Sequence, residues 1–240
     1  MLSRKNWRPE WVILFVVPLI GLLLLGAAAH ILNKRPASPA GPVNFRDLVL
    51  NTLLFQGAML AGVSFFLRAH QVGWREAFGC TRGTNGRAVL WGVVLVVLVL
   101  PCGYGLQYIS AQVMERLGWP AEAQSPVELL LAGSWGQRAY LGVFAVVLAP
   151  LAEETLFRGI FFVFVRDLGF PRLAMWGTGV FFGLIHGNVA AFLPLTMFGI
   201  LLAWLYARTG NLVACVTAHA LFNLAPFIMI AFGINLDAGR

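Results

Sequence analysis

Long apolar runs alternate with short polar segments along this chain, and the alternation predicts most of its architecture. The runs extend over residues 11–29, 48–67, 88–108, 139–165, 173–186, 192–206 and 211–232. A helix needs about 20 apolar residues to cross the hydrocarbon core of a bilayer. The pattern therefore predicts an all-α, polytopic transmembrane helical bundle of about seven spans, within a range of roughly six to eight.

The first apolar run has two interpretations. Basic residues precede it, and Ala27 to Ala29 resemble the small-residue cleavage site of a secretory signal. The run is nevertheless longer than the core of such a signal, which has about 7–15 residues. We therefore interpret residues 11–29 as an uncleaved first span, with a cleaved signal as the alternative.

Composition excludes a soluble globular domain. Hydrophobic residues make up 59% of the 240 residues and charged residues only 11%, whereas soluble domains are about half apolar and about a quarter charged. The net charge of +7 comes from Lys and Arg in the polar segments, where they orient spans and contact anionic lipid. No nucleic-acid-binding pattern is present, so the expected partner is the lipid bilayer and not nucleic acid.

The distribution of Lys and Arg predicts an orientation. With seven spans and a cytoplasmic N-terminus, the inside segments carry ten Lys and Arg residues and the outside segments carry six. The positive-inside rule therefore favours a multi-pass cell-membrane protein with its N-terminus in the cytoplasm. The stretch from Ser110 to Arg138 is then outside, with a short amphipathic helix predicted near residues 127–131.

The fourth run carries three charged residues, Glu153, Glu154 and Arg158, near its middle. A charge at the centre of a bilayer costs a few kcal/mol and needs a reason. Glu154 and Arg158 are spaced i,i+4 and can form an ion pair. Adjacent helical residues point about 100° apart, so Glu153 is left without a local partner and is a candidate general base. Pro150, just before, predicts a kink in the helix, which either lines a cavity or only serves packing.

The fifth and seventh runs carry the other candidate residues. His186 follows a row of glycines at positions 179, 183 and 187, a spacing that lets another helix approach closely. We expect His186 to lie on that face and to point into the bundle. His219 and Asn223 are spaced i,i+4, which suits two donors aimed at one point, a ligand with its supporting partner, or a simple interhelical hydrogen bond.

These polar residues together contain the parts needed for hydrolysis, namely a base, a helper histidine and oxyanion donors. The same cluster could serve a transporter or channel as a proton or ion relay, although no inverted repeat relates the two halves. A third reading is a non-catalytic immunity or scaffold protein that keeps the fold.

Three motifs occur in order, each within an apolar run, and they resemble one protein family. They are Glu153-Glu154-x-x-x-Arg158, Phe182-x-x-x-His186 and His219-x-x-x-Asn223. The set is similar to the signature of the CAAX prenyl protease and bacteriocin-processing (CPBP) intramembrane proteases, over about residues 140–225. The resemblance implies that residues 136–235 form a catalytic membrane core, which makes one compact unit with N-terminal spans and loops in residues 1–135.

The resemblance also implies a division of roles. Glu153 would activate water with the help of His186, and His219 with Asn223 would stabilise the oxyanion. Glu154 and Arg158 would order the site.

Cofactor and substrate remain open in the sequence. Glu153, His186 and His219 could hold a divalent metal such as zinc, although no HExxH motif is present and a metal-free mechanism is slightly favoured. The expected substrate is a membrane-associated or lipidated peptide. Whether that peptide is prenylated does not follow from the sequence.

Overall fold

The structure is a computed structural model that describes residues 5–32, 45–81, 83–118 and 133–232. Those residues contain helices and no strand, which confirms the all-α fold class. The helices are α1 (Pro9–Leu32), α2 (Phe45–Ala69), α3 (Trp74–Ala77), α4 (Asn85–Arg116), α5 (Trp135–Asp167), α6 (Pro171–Ile185), α7 (Val189–Thr209) and α8 (Leu212–Ala231). The amphipathic helix predicted near residues 127–131 lies outside the described residues.

Five of these helices are long and apolar enough to cross a membrane. They are the segment Thr52–Ala69 of α2, together with α4, α5, α7 and α8. Many of their large apolar side chains are exposed, among them Leu54, Leu98 and Val143, as expected for surfaces that contact acyl chains. The chain is therefore a multi-pass membrane protein, and about seven spans agree with the helices observed.

Polar contacts gather several helix ends on one face of the bundle. The backbone N–H of Lys5 donates to Asp167 Oδ2 at 2.9 Å, and its ammonium donates to the Glu76 carbonyl oxygen at 2.8 Å. The N–H of Leu212 donates to the Phe78 carbonyl oxygen at 2.9 Å. We call this the N-terminal face; it comprises residues 5–8, 69–81, 83–85, 166–171 and 209–212.

Glycines allow close contact between neighbouring helices. A Cβ atom on Gly179 of α6 would lie 2.8 Å from the backbone nitrogen of Ile200 on α7. A Cβ atom on Gly92 of α4 would lie 2.6 Å from the carbonyl oxygen of Ala214 on α8. The close approach of a second helix, which the glycine spacing predicted for α6, is confirmed. The contact of Gly92 with Ala214 joins the predicted N-terminal part, residues 1–135, to the predicted catalytic core, residues 136–235. The division of the chain into these two parts stays a prediction.

Helix α5 is wound more loosely than an ordinary α-helix around the charged residues. It has π-helical turns at Phe144–Leu148 and Thr155–Phe162, on either side of the α-helical segment Ala149–Glu154. Such turns are rare and occur frequently at functional sites. The helix packs against α8, α6 and α2, so the charged residues near its middle, Glu153, Glu154 and Arg158, lie inside the bundle.

Candidate active site

The Glu154–Arg158 pair is the buried centre of the site. Arg158 Nη1 donates to Glu154 Oε1 at 2.9 Å, and neither side chain has any solvent exposure. The predicted i,i+4 pair is therefore confirmed. Residues spaced i,i+4 lie on the same face of a helix, so the two side chains point in nearly the same direction. The pair makes burial of both charges feasible, since an unpaired charge there would be strongly destabilising.

Arg158 is also held from two other helices. Its Nη2 donates to the carbonyl oxygen of Gly199 on α7 at 3.0 Å. Its guanidinium carbon lies 4.7 Å from the ring centroid of Phe182 on α6, within the range of a cation–π contact. These contacts fix the carboxylate of Glu154 through the arginine.

His219 joins this pair to Glu153. Its Nδ1 lies 2.9 Å from Glu154 Oε1, and its Nε2 lies 3.9 Å from Glu153 Oε2. A carboxylate can only accept, so the Nδ1 of His219 carries a proton and donates it. The ring is 3% exposed and meets the edges of Phe182 and Phe198 at centroid distances of 5.5 and 5.7 Å. The Nδ1 bond thus fixes the orientation of the ring, with Nε2 facing Glu153.

Glu153 differs from its neighbour in both direction and exposure. Its side chain is 16% exposed, whereas that of Glu154 is fully buried. Its Oε2 atom has no hydrogen-bond partner among the described residues. The difference in exposure agrees with the expectation that Glu153 is set apart from the ion pair, and its carboxylate retains capacity to bind a polar ligand.

His186 lies at the C-terminal end of α6. Its Nδ1 donates to the Phe182 carbonyl oxygen at 2.6 Å, and the Phe182 ring centroid is 4.7 Å from the imidazole. The residue is exposed because α6 ends there, where Gly187 adopts a φ of +62° that turns the chain toward α7. The expectation that its side chain points into the bundle stays a prediction.

Asn223 binds the backbone of α5, and its convergence with His219 on a common point stays a prediction. Its Nδ2 donates to the backbone carbonyl oxygen of Ala145 on α5 at 2.8 Å. The structure thus brings Glu153, Glu154, Arg158 and His219 together, and it places Asn223 against the wide turn that precedes them. An amide nitrogen has two hydrogens, so Asn223 keeps one donor beyond this bond.

The predicted metal ligands do not form a ligand set in this arrangement. Across the four described stretches of chain, no three His, Cys, Asp or Glu side chains are grouped as a metal site would require. His186 uses its Nδ1 for the Phe182 carbonyl oxygen, and the Phe182 ring lies against both imidazoles. We therefore derive no step through a metal.

Two contributors to the site were not predicted. The Gly199 carbonyl oxygen binds Arg158, and the Ala145 carbonyl oxygen binds Asn223. Backbone carbonyl groups leave no mark on composition or spacing. Pro150 was the one available signal near Ala145, because a proline inside a helix always leaves a carbonyl group without its N–H partner.

Comparison with known proteins places the site in a family context. Residues 135–225 match the family described as Type II CAAX prenyl endopeptidase Rce1-like, which confirms the resemblance expected from the three motifs. Over 83 residues the chain is 31% identical to a Bacillus subtilis (strain 168) protein named "Putative membrane peptidase YdiL". That alignment covers 35% of this chain and 34% of the relative, so the chain matches about a third of the relative's length. No solved structure matches the chain significantly.

Proposed function

We propose that the protein is an intramembrane endopeptidase that hydrolyses a peptide bond in a membrane-associated or lipidated peptide. The observation that carries the proposal is the position of Glu153. Its free carboxylate oxygen stands 3.9 Å from a histidine whose other nitrogen is held by the buried Glu154–Arg158 pair. The similarity of residues 135–225 to a peptidase family supports the same reaction class.

Glu153 is the proposed general base. Its carboxylate takes a proton from a water molecule while the water oxygen attacks the carbonyl carbon of the scissile peptide bond. The resulting tetrahedral intermediate carries an oxyanion. Glu153 then delivers the proton to the leaving nitrogen as the C–N bond breaks, which returns the carboxylate to its starting state.

His219 is the proposed oxyanion donor. In its protonated form it donates from Nδ1 to Glu154 and from Nε2 toward the site. One such donor typically contributes about 3–4 kcal/mol to lowering the barrier. The second amide hydrogen of Asn223 is the proposed additional donor.

His186 is the proposed partner of Glu153 in orienting water. Its Nδ1 is used for the Phe182 carbonyl oxygen, so the neutral ring presents an unprotonated Nε2 that can accept a hydrogen bond from water. Its exposed position at the end of α6 supports a role in contact with incoming substrate and water. Glu154 and Arg158 act by holding His219.

The test is cleavage by the purified protein in lipid nanodiscs. The substrates are a panel of fluorogenic peptides with and without an attached isoprenoid or acyl chain. We expect Glu153→Gln to lose at least about 10³-fold in kcat, because it keeps the shape of the side chain but cannot take a proton. His186→Ala and His219→Ala should lose about 10²-fold or more.

A matched control is Asp167→Asn, which changes a carboxylate at the far end of the same helix. It should cleave like the wild type. If Glu153→Gln, His186→Ala and His219→Ala all cleave like the wild type, the assigned site is wrong. Proton flux into liposomes that depends on Glu153, without any cleavage, would indicate an ion relay. Loss of cleavage on chelation that zinc restores would overturn the metal-free preference.

A further inference from the structure

One carbonyl group in α5 lacks the partner that its helical winding requires. In the π-helical turn Phe144–Leu148, the N–H of Ala149 pairs with the carbonyl oxygen of Phe144, five residues earlier, which is the π-helical pattern. The next bond would run from residue 150 to Ala145. Residue 150 is a proline and has no N–H. The carbonyl oxygen of Ala145 is therefore the one that Pro150 leaves open.

The side chain of Asn223 occupies the position of the missing donor. Its Nδ2 donates to the Ala145 carbonyl oxygen at 2.8 Å, across 78 residues of sequence. An ordinary α-helical turn would leave the Val146 carbonyl oxygen open instead, since the bonds would then run four residues back. The hydrogen bond from α8 thus matches the π-helical winding and not the α-helical one.

This winding sets where Glu153 and Glu154 point. Both residues follow Pro150 within the segment Ala149–Glu154, and one extra residue in the preceding turn rotates everything after it by about 100° relative to the residues before. The direction of Glu154 toward Arg158 and His219, and that of Glu153 toward the open part of the site, both depend on that rotation.

We propose that Asn223 is a positioning residue that satisfies the Ala145 carbonyl group left open by Pro150, and that this hydrogen bond holds the wide turn that aims Glu153 and Glu154. Only the effect of this residue on catalysis rests on the proposed function. The hydrogen bond itself, and its dependence on Pro150, can be measured without any substrate. Direct oxyanion donation uses the other amide hydrogen and predicts no dependence on Pro150.

The experiment is a double-mutant cycle between Asn223→Ala and Pro150→Ala in the full-length protein. With Pro150 present, Asn223→Ala leaves the partly buried carbonyl group of Ala145 without a donor, so the thermal unfolding midpoint in detergent should fall by about 2–6 °C. With Pro150→Ala, the new N–H of residue 150 restores a complete set of backbone bonds. Asn223→Ala should then lower the midpoint by less than half as much.

Pro194→Ala is the matched control. Pro194 also lies inside a helix, but it takes no part in the hydrogen bond between Asn223 and Ala145, so the effects of Pro194→Ala and Asn223→Ala should add. Asn223→Asp provides a variant of nearly unchanged shape, which when ionised cannot donate to Ala145, and it should show the same coupling to Pro150 as Asn223→Ala. Equal midpoint losses in the Pro150 and Pro150→Ala backgrounds would overturn the proposal.

A kinetic measurement separates positioning from general loss of stability. At a temperature well below every midpoint, Asn223→Ala should lower kcat by about tenfold or more with KM little changed, because misplacing reacting groups by about 1 Å is costly. The reduction in kcat should shrink in the Pro150→Ala background. Coupled midpoints without any cleavage by the wild type would refute the endopeptidase function and leave the hydrogen-bond assignment standing. Coupled midpoints with an unchanged kcat in Asn223→Ala would refute the aiming role.

Discussion

Arg158 is the residue on which burial of the other charges in the site depends. It is fully buried, and its guanidinium contacts a carboxylate, a backbone carbonyl oxygen and an aromatic ring from three helices. Without it, Glu154 would be a carboxylate in a low-dielectric interior with only His219 beside it. Buried charges of this kind are tolerated only when they are paired with opposite charges and hydrogen-bonded.

Replacing this arginine should therefore cost far more stability than replacing one at the helix end. We expect Arg158→Met to lower the free energy of unfolding by about 3–5 kcal/mol. Arg166→Met, which removes a partly exposed ion pair with Asp167 on the same helix, should cost about 1 kcal/mol or less. Unfolding in denaturing detergent measures both, and equal losses would contradict the assignment of Arg158. The double variant Glu154→Gln with Arg158→Met should recover part of the loss.

The ring of Phe182 contacts three side chains of the site that are not hydrogen-bonded to one another, namely Arg158, His186 and His219. Its ring lies 4.7 Å from the Arg158 guanidinium carbon, 4.7 Å from the His186 ring centroid and 5.5 Å from that of His219. It is fully buried. A single ring thus sets the spacing between the two histidines.

Shortening this side chain should impair catalysis more than stability. Phe182→Leu removes the aromatic face and lets both histidines shift, so we expect kcat to fall by about tenfold or more. Phe181→Leu is the matched control, because Phe181 is the adjacent residue and contacts Phe157 and Phe161 and neither histidine. Its kcat should stay within about twofold of the wild type, as measured on the same peptide panel. An equal fall in both variants would argue against the spacing role.

At the level of the helix, the close contact between α6 and α7 fixes the position of His186 relative to Arg158. His186 lies at the end of α6, and Arg158 is bound by Gly199 of α7. A side chain on Gly179 would meet backbone atoms of Ile200, and one on Gly199 would lie 2.9 Å from Gly179 Cα. Gly199 is also the residue whose carbonyl oxygen binds Arg158. Any separation of these helices therefore moves the acceptor away from the guanidinium.

An added methyl group at this contact should consequently affect both folding and activity. We expect Gly179→Ala to lower the free energy of unfolding by about 1–3 kcal/mol through overpacking, with a parallel fall in kcat. Gly177→Ala, two residues earlier, would contact only the Leu173 side chain at 3.6 Å. It should be neutral or stabilising by up to about 1 kcal/mol. Thermal unfolding with activity assays distinguishes the two, and a harmless Gly179→Ala would show that the helices can separate freely.

On the scale of the whole molecule, the orientation in the membrane stays a prediction. The N-terminal face gathers Lys5, Arg8, Arg75 and Arg166, and the positive-inside rule therefore assigns it to the cytoplasm. Trp135, at the start of α5, lies at the opposite end of that helix from Asp167 and thus on the other side of the bundle. A pair of labelling sites, one on each side, can decide the orientation.

Cysteine labelling of intact cells provides the measurement. Partial burial raises the pKa of Cys80, which makes the native thiol a slow reporter, so a Cys80→Ser background is used. A membrane-impermeant maleimide should label Trp135→Cys, at a position that is 85% exposed, in intact cells. It should label Arg75→Cys, also at an exposed position, only after permeabilisation. The reverse pattern would place the N-terminal face outside.

The sequence by itself determined the features that depend on near neighbours in the chain. Apolar runs long enough to cross a bilayer specify helices in lipid, because every backbone polar group must be satisfied within its own segment. The i,i+4 spacing brought Glu154 to Arg158, and the same reasoning set Glu153 apart. The small residues at 179 and 183 indicated a close helix contact, since only glycine leaves that space.

Tertiary structure decided the features that depend on partners far along the chain. His186 is exposed because α6 ends at a glycine turn, and Asn223 binds Ala145 because α8 packs beside a π-helical turn. The choice between α- and π-helical winding involves small energy differences that local spacing does not reveal, and packing against another helix settles it. Backbone acceptors such as Gly199 have no side-chain identity, so only the folded bundle shows which one meets the arginine.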